Sequence, residues 1–180
     1  LIVLDKHTGR RVAQDEERIG TRLFHGQWSS PSLGKVGDKT LIFFGGGDGL
    51  CYAFEPVAAA SEGVVPLKKV WSFDCNPPHY KFHDGKPVRY RDGDIRRHRP
   101  NNKGDGSFIG PSEIIATPVL YKNRVYVATG QDPTHGKGRG MLTCIDATQT
   151  GDVTRSACVW RFDQIDRSIS TVAIADGLLY

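Results

Sequence analysis

Ile114-Ile-Ala-Thr-Pro-Val-Leu-Tyr-Lys-Asn-Arg-Val-Tyr-Val-Ala-Thr-Gly130 opens a stretch that continues through Met141-Leu-Thr-Cys-Ile-Asp-Ala147 to Cys158-Val-Trp-Arg-Phe-Asp163. It holds four short runs rich in Val, Ile, Tyr, Thr and Phe. Asn123 divides the first run from the second, Gly130 to Gly140 divide the second from the third, and Gly151 to Ala157 precede the fourth. Short β-branched and aromatic runs bounded by Gly, Asn, Asp and Pro are strands. Four of them in sequence predict an antiparallel meander.

The same pattern occurs earlier, from Gln27 to Asp74. Trp28-Ser-Ser-Pro-Ser-Leu33 is followed by a turn at Gly37-Asp38, then Lys39-Thr-Leu-Ile-Phe-Phe44, a turn at Gly45 to Gly49, Leu50-Cys-Tyr-Ala-Phe-Glu55 and Lys69-Val-Trp-Ser-Phe-Asp74. Ser30-Pro31 matches Thr117-Pro118, Tyr52-Ala-Phe-Glu55 matches Thr143-Cys-Ile-Asp146, and Trp71-Ser-Phe-Asp74 matches Trp160-Arg-Phe-Asp163. Part units flank both copies. Leu1-Ile-Val-Leu-Asp5 with Thr8-Gly9 reads as a third strand and its turn; Ser170 to Tyr180 read as a first strand, a turn and the opening of a second. A period of roughly 50 residues with four strands per unit predicts an all-β propeller of four-stranded antiparallel blades. The expected division is 1–26 for the end of one blade and a link, 27–74 for a blade, 75–113 for an inserted loop, 114–163 for a blade and 164–180 for the start of the next.

The Gly-x-x-(Tyr/Thr)-(Ala/Cys)-hydrophobic-(Asp/Glu) pattern, with its Thr-Gly turn and Trp strand, resembles the pyrroloquinoline-quinone repeat of quinoprotein-like β-propellers. That resemblance implies one of two functions. One is a non-catalytic scaffold, like the lipoproteins of the outer-membrane assembly machinery. The other is a quinone-dependent dehydrogenase oxidising an alcohol or sugar, with pyrroloquinoline quinone and calcium as cofactors. It also implies a periplasmic or cell-envelope location and a ring of seven or eight blades, so the chain reads as an internal part of a longer polypeptide. The dehydrogenases carry two adjacent cysteines over the quinone, and no Cys-Cys pair occurs in this sequence.

The sequence has 180 residues and a net charge of +4, with acidic and basic residues interspersed. That is a solvated surface and not a nucleic-acid footprint. No apolar run approaches the ~18 residues that a spanning helix needs. The only helical signal is an Ala-rich link at Val57 to Gly63. The expected partners are therefore a protein or a small anionic or glycan ligand. No residue is assigned a catalytic role or a metal-ligand role, and cofactor-binding residues are left unassigned.

Recurrence separates scaffold from site. Trp71 and Trp160 share one register and are expected to pack between blades, and Asp5, Glu55 and Asp146 each end a third strand and are expected to accept hydrogen bonds from the following turn. Phe43-Phe44 and Tyr126-Val127 read as second strands buried on both faces. Cys144 and Cys158 fall on neighbouring strands, so either a disulfide or two free thiols fits. His7 reads as an exposed turn residue, as does His135 in the Gly130 to Gly140 turn, which lacks the ending and the helix of a phosphate loop.

The candidates for chemistry lie elsewhere. His25 and Trp28 precede an inner strand and fall near the channel mouth. The insertion from Cys75 to Glu113 is far longer than an ordinary link, and such loops are commonly functional. Cys75, His79 and His83 offer metal-capable groups. Asp92, Asp94, Asn101, Asn102 and Asp105 offer calcium-capable oxygens without the spacing of a calcium loop. Arg89, Arg91, Arg96, Arg97, Arg99 and Lys103 offer a basic surface for an anion or glycan. The remaining reading is a surface loop packed on Tyr80, Phe82, Tyr90 and Ile95. Glu113 is the carboxylate nearest the inner strands.

Overall fold

In the computed structural model, residues 1–23, 26–57, 63–76, 82–83, 86–87, 113–130 and 140–180 are described. The chain is all-β over these residues, apart from one 3-10 turn at Ile19–Thr21 that the sequence pattern does not announce. β1 (Ile2–Leu4) and β2 (Arg11–Asp15) form a hairpin. The second sheet holds β3 (Ser32–Val36), β4 (Lys39–Gly45), β5 (Leu50–Phe54) and β7 (Lys69–Asp74), each antiparallel to the next. The third holds β10 (Val119–Tyr121), β11 (Arg124–Thr129), β12 (Met141–Asp146) and β14 (Cys158–Phe162) in the same order. β15 (Ile174–Ala175) and β16 (Leu178–Leu179) make a closing hairpin, and β8 (Phe82–His83) pairs with β9 (Lys86–Pro87). Among the described residues these sheets do not close into a ring.

The expected meanders are present, with two differences. The inner strands begin later than the apolar runs do: β3 starts at Ser32 and β10 at Val119, each just past a proline. Pro31 and Pro118 have no N–H to give a ladder, and the residues before them are held by side chains instead. Ser29 Oγ donates to Ala116 O at 2.9 Å, and Thr117 N–H donates to Thr171 Oγ1 at 3.0 Å. The Ala-rich link at 58–62 lies outside the described residues.

The second difference is an extra strand on the outer edges of the first two sheets. β6 (Val65–Leu67) leaves the second sheet's own link and pairs, parallel, with β2. β13 (Gly151–Asp152) leaves the third sheet's link and pairs, parallel, with β7. The first and second sheets are thus each latched along the outer edge by the sheet that follows in sequence.

The core lies between sheets. Phe43, Trp71 and Phe73 pack against Val125, Ile145 and Ala147, while Phe44, Tyr52 and Phe54 pack the other way, against Ala13 and Ile19. Phe43 and Phe44 therefore behave as expected for a strand buried on both faces. Tyr126 is only half-buried, because the sheet facing it is a two-stranded hairpin.

Trp71 and Trp160 sit at equivalent positions, opposite Ala53 and Cys144. Trp71 is fully buried, stands 5.9 Å from the Phe43 ring, and donates its indole N–H to Ala147 O at 3.2 Å. Asp5 and Asp146 cap their turns as expected: Asp5 Oδ1 accepts from the His7 and Thr8 N–H groups, and Asp146 Oδ1 accepts from Thr148 N–H. Among the described residues Glu55 pairs with Lys68 at 2.9 Å and caps no turn.

A disulfide between Cys144 and Cys158 does not form, and all four cysteines are free. A bulge after Cys144 sets Cys158 opposite Ile145. Cross-strand partners share a face, so Cys158 packs toward the second sheet with Ile145, whereas Cys144 lies on the other face beside Tyr126 and Trp160.

Candidate functional site

Antiparallel meanders place alternate links at opposite ends. One end therefore gathers the Gly45–Gly49 turn, Gly130 and Gly140, the two stems of the long insertion and the link from 163 to 170. The Gly45–Gly49 turn is the hub. Gly46 N–H donates to Leu50 O at 2.8 Å, and Cys75 N–H donates to Gly49 O at 3.1 Å. Ile114 N–H donates to Gly46 O at 3.1 Å, and Asn76 Nδ2 donates to Asp48 O at 3.3 Å. Both stems of the insertion, Cys75-Asn76 and Glu113-Ile114, are thus pinned to this one turn or to its flank. Gln27 ties the incoming link to the same turn, donating to Gly45 O at 2.7 Å and accepting from Gly47 N–H at 2.9 Å.

The glycines here are required by close approach. A Cβ on Gly45 would lie 2.3 Å from Ile114 Cγ2, and one on Gly47 would lie 2.2 Å from Gly26 O.

Beneath the turn lies a polar cluster that the sequence pattern does not reveal. Tyr52 Oη donates to Asp48 Oδ2 at 2.6 Å, Arg22 Nε donates to the same oxygen at 3.1 Å, and Leu50 N–H donates to Oδ1 at 3.2 Å. Arg22 Nη2 also donates to Tyr52 Oη at 2.8 Å. Burial pushes the Asp48 carboxyl up, opposed by Tyr52, Leu50 and Arg22. Burial also drives the Tyr52 phenol far up, and the neighbouring Asp48 charge adds to it. For Arg22, burial works against the charge, and Tyr52 and Asp48 outweigh it. Both groups are therefore shifted up, Asp48 by burial and Arg22 by its partners, and three donors converge on the one carboxylate. A carboxylate so occupied is a clamp and not a general base. A cleft of about 320 Å³, lined by Arg22, Tyr52, Lys69, Ser72 and Asp152 among others, opens beside it.

Of the sequence candidates, Trp28 stands 51 % exposed at this end. Glu113 is buried and bridges Gly130. Cys75 belongs to the apolar core: its thiol contacts Phe73 O, and burial drives it well up, which disfavours the thiolate a metal needs. His25, His79, His135, Arg89, Arg91, Asp92, Asp94, Arg96, Arg97, Arg99, Asn101, Asn102, Lys103 and Asp105 lie outside the described residues, as do Tyr80, Tyr90 and Ile95; of His83 and Phe82 only the backbone pairing is described. Among the described residues no three His, Cys, Asp or Glu side chains converge on one point.

No family model matches the sequence, and no curated protein matches it. The match that decides the fold is a crystal structure of BamB from Moraxella catarrhalis, with a TM-score of 0.51. The chain is similar to part of BamB. The alignment covers 94 % of this chain and 35 % of that one at 14 % identity, so the likeness is one of fold. The chain spans about a third of the length of the structure it matches. What this chain shares with BamB is a fold of successive antiparallel sheets, and no closed propeller is seen among the described residues. No helix among the described residues is long and apolar enough to cross a membrane.

Proposed function

We propose that the chain is part of an exported quinoprotein-like β-propeller that acts as a protein-binding scaffold of the cell envelope, in the assembly of the outer membrane. The supporting observation is the likeness to BamB along 94 % of the chain. BamB stands with the scaffold branch of the family resemblance described above, and nothing found favours the dehydrogenase branch. The clamp architecture suits this reading. The Gly45–Gly49 turn fixes both stems of a long insertion, Cys75-Asn76 and Glu113-Ile114, at one end of the sheets.

The test is photocrosslinking in a bacterial envelope, with a photoreactive residue at the exposed Trp28 position, followed by identification of the captured proteins. Capture of outer-membrane assembly proteins is expected. Capture of no envelope protein refutes the reading. Titration with pyrroloquinoline quinone and calcium, using an alcohol as donor and a dye as acceptor, is the complementary arm. Turnover there overturns the scaffold assignment.

A further inference from the structure

The cleft beside the Arg22, Asp48 and Tyr52 cluster is not a default of the repeat. Tyr52 and Ser72 are cross-strand partners in the second sheet, so their side chains share the face turned toward the first sheet. Their counterparts in the third sheet are Thr143 and Arg161, opposed in the same way. There the arginine reaches across to the second sheet. Its guanidinium lies 5.4 Å from the centre of the Phe73 ring, and its Nη2 donates to Asp74 O at 3.2 Å. In the second sheet the shared Trp-x-Phe-Asp pattern carries Ser72 at that place. The serine lacks the long arm, and a cleft of about 320 Å³ opens over it.

Three parts of the chain build this cleft. The link after β2 brings Glu17 and Arg22, the second sheet brings Leu50, Lys69 and Ser72, and the latch strand β13 brings Asp152. The charges are already paired. Lys69 Nζ donates to Glu17 Oε2 at 2.5 Å, and Arg22 Nε donates to Asp48 Oδ2 at 3.1 Å. Asp152 Oδ1 accepts from Thr154 N–H at 3.1 Å and from Thr154 Oγ1 at 2.6 Å. An ion of either sign entering here meets one partner of its own sign in each pair. A neutral guest meets no such opposition, and hydrogen-bonding capacity is left for it. An ammonium has three donors and a guanidinium five, of which the bonds within the cluster use one on Lys69 and two on Arg22.

Ser72 supplies a second, independent observation. It is 8 % exposed, and among the described residues its hydroxyl meets no hydrogen-bond partner. Buried polar groups are nearly always hydrogen-bonded, and this one lines the cleft.

From these features we infer that the cleft binds a neutral sugar, with one ring hydroxyl on Ser72 and neighbouring ring hydroxyls shared between the Lys69–Glu17 pair and Arg22. A vicinal diol is donor and acceptor at each oxygen, so it satisfies an ammonium and a carboxylate that stand side by side. Bonds to charged partners are the stronger kind. Leu50 offers an apolar contact for the C–H edge of the ring. The volume lies at the small end of ligand clefts, which run from about 300 to 1,000 Å³, and suits one or two rings. This inference is independent of the scaffold reading.

The experiment is ligand-observed nuclear magnetic resonance on the full-length protein, with maltose, inorganic phosphate and ethylammonium chloride in separate arms. Maltose is expected to bind with a Kd on the order of 1 mM, and neither ion is expected to bind at tenfold that concentration. Ser72→Ala removes one hydrogen bond to the guest and is expected to weaken maltose about 2–12-fold. Ser72→Arg copies the third sheet and is expected to abolish binding with an unchanged far-ultraviolet spectrum; if it fails to fold, Ser72→Ala decides. A fourth arm with maltoheptaose separates two sources of the same chemistry. Affinity equal to that of maltose assigns the cleft to the end of a glycan, loss of binding assigns it to a free sugar, and both sustain the inference. Absence of maltose binding, or binding that Ser72→Ala leaves unchanged, overturns the site. Binding of phosphate or ethylammonium that Ser72→Arg removes overturns the neutral class of ligand.

Discussion

Replacing Trp71 tests whether the seam between the second and third sheets holds the molecule together. The side chain is fully buried, with Phe43 on one side and the residues of the third sheet on the other. Trp→Ala in a packed core costs about 3–5 kcal/mol through lost transfer and the cavity left behind. Trp71→Phe keeps much of the volume and removes the indole N–H. That leaves the carbonyl of the buried Ala147 without the 3.2 Å bond it accepts, at about 1–3 kcal/mol. For a chain of this size, 1 kcal/mol moves Tm by roughly 2–4 °C. Trp71→Phe is therefore expected to lower Tm by about 2–12 °C, and Trp71→Ala by about 6–20 °C. The assay is urea and thermal unfolding followed by far-ultraviolet circular dichroism, which does not depend on the deleted fluorophore. If Trp71→Ala costs less than about 1 kcal/mol, the two sheets are not held by this contact, and the reading of the repeated tryptophan as a seam is wrong.

Tyr52→Phe removes the hydroxyl that links Arg22 to Asp48 and is expected to cost about 1–2 kcal/mol by urea titration. In the parent, ultraviolet titration should show the Tyr52 phenol still protonated where exposed tyrosines ionise, near ~10. Hydrogen bonds from Thr148 hold the Asp146 carboxyl below its ordinary 3.8, so its stabilising contribution is full above that value and lost as pH falls through the lower folded value. Asp146→Asn should flatten the acid limb of a Tm-against-pH curve between pH 5 and 2, and an unchanged limb would count against the turn cap. Gly47→Ala, which drives a methyl into the backbone at Gly26, is expected to cost about 1–3 kcal/mol; an unchanged urea midpoint would contradict the tight packing of the hub. Without reductant, Ellman's reagent should count four thiols after unfolding and at most the half-buried Cys158 in the native state, and fewer than four after unfolding would mean that a disulfide exists.

Much of the architecture can be read directly from the repeat. Strand order, the turn at Lys122-Asn123 and the shared register of Trp71 and Trp160 follow from two copies of one pattern, because periodicity reports which faces are buried. The parts that escape are the ones periodicity cannot encode. β6 and β13 are two or three residues inside links that carry no strand periodicity, and are strands only because an outer edge lies beside them. The separation of Cys144 from Cys158 depends on a one-residue bulge that turns the chain over. Arg22, Asp48 and Tyr52 meet across 26 to 30 residues, and a glycine-rich turn advertises its bend and not the carboxylate beneath it. The candidates that the sequence did flag, Trp28 and Glu113, do lie at the end where the insertion is anchored.

The latch strands also impose an order in time. The outer edge formed around Trp71 is covered only when Ala147 and β13 arrive, 76 residues later in the case of the indole bond. At a synthesis rate of about 5–20 residues per second, that edge stays open for roughly 4–15 s. Through that interval a nearly finished sheet presents bare backbone to any neighbouring chain, the situation that favours edge-to-edge aggregation. A polypeptide of this design is safest when its successive repeats emerge without pause, or when a holding protein shields each one until the next is made.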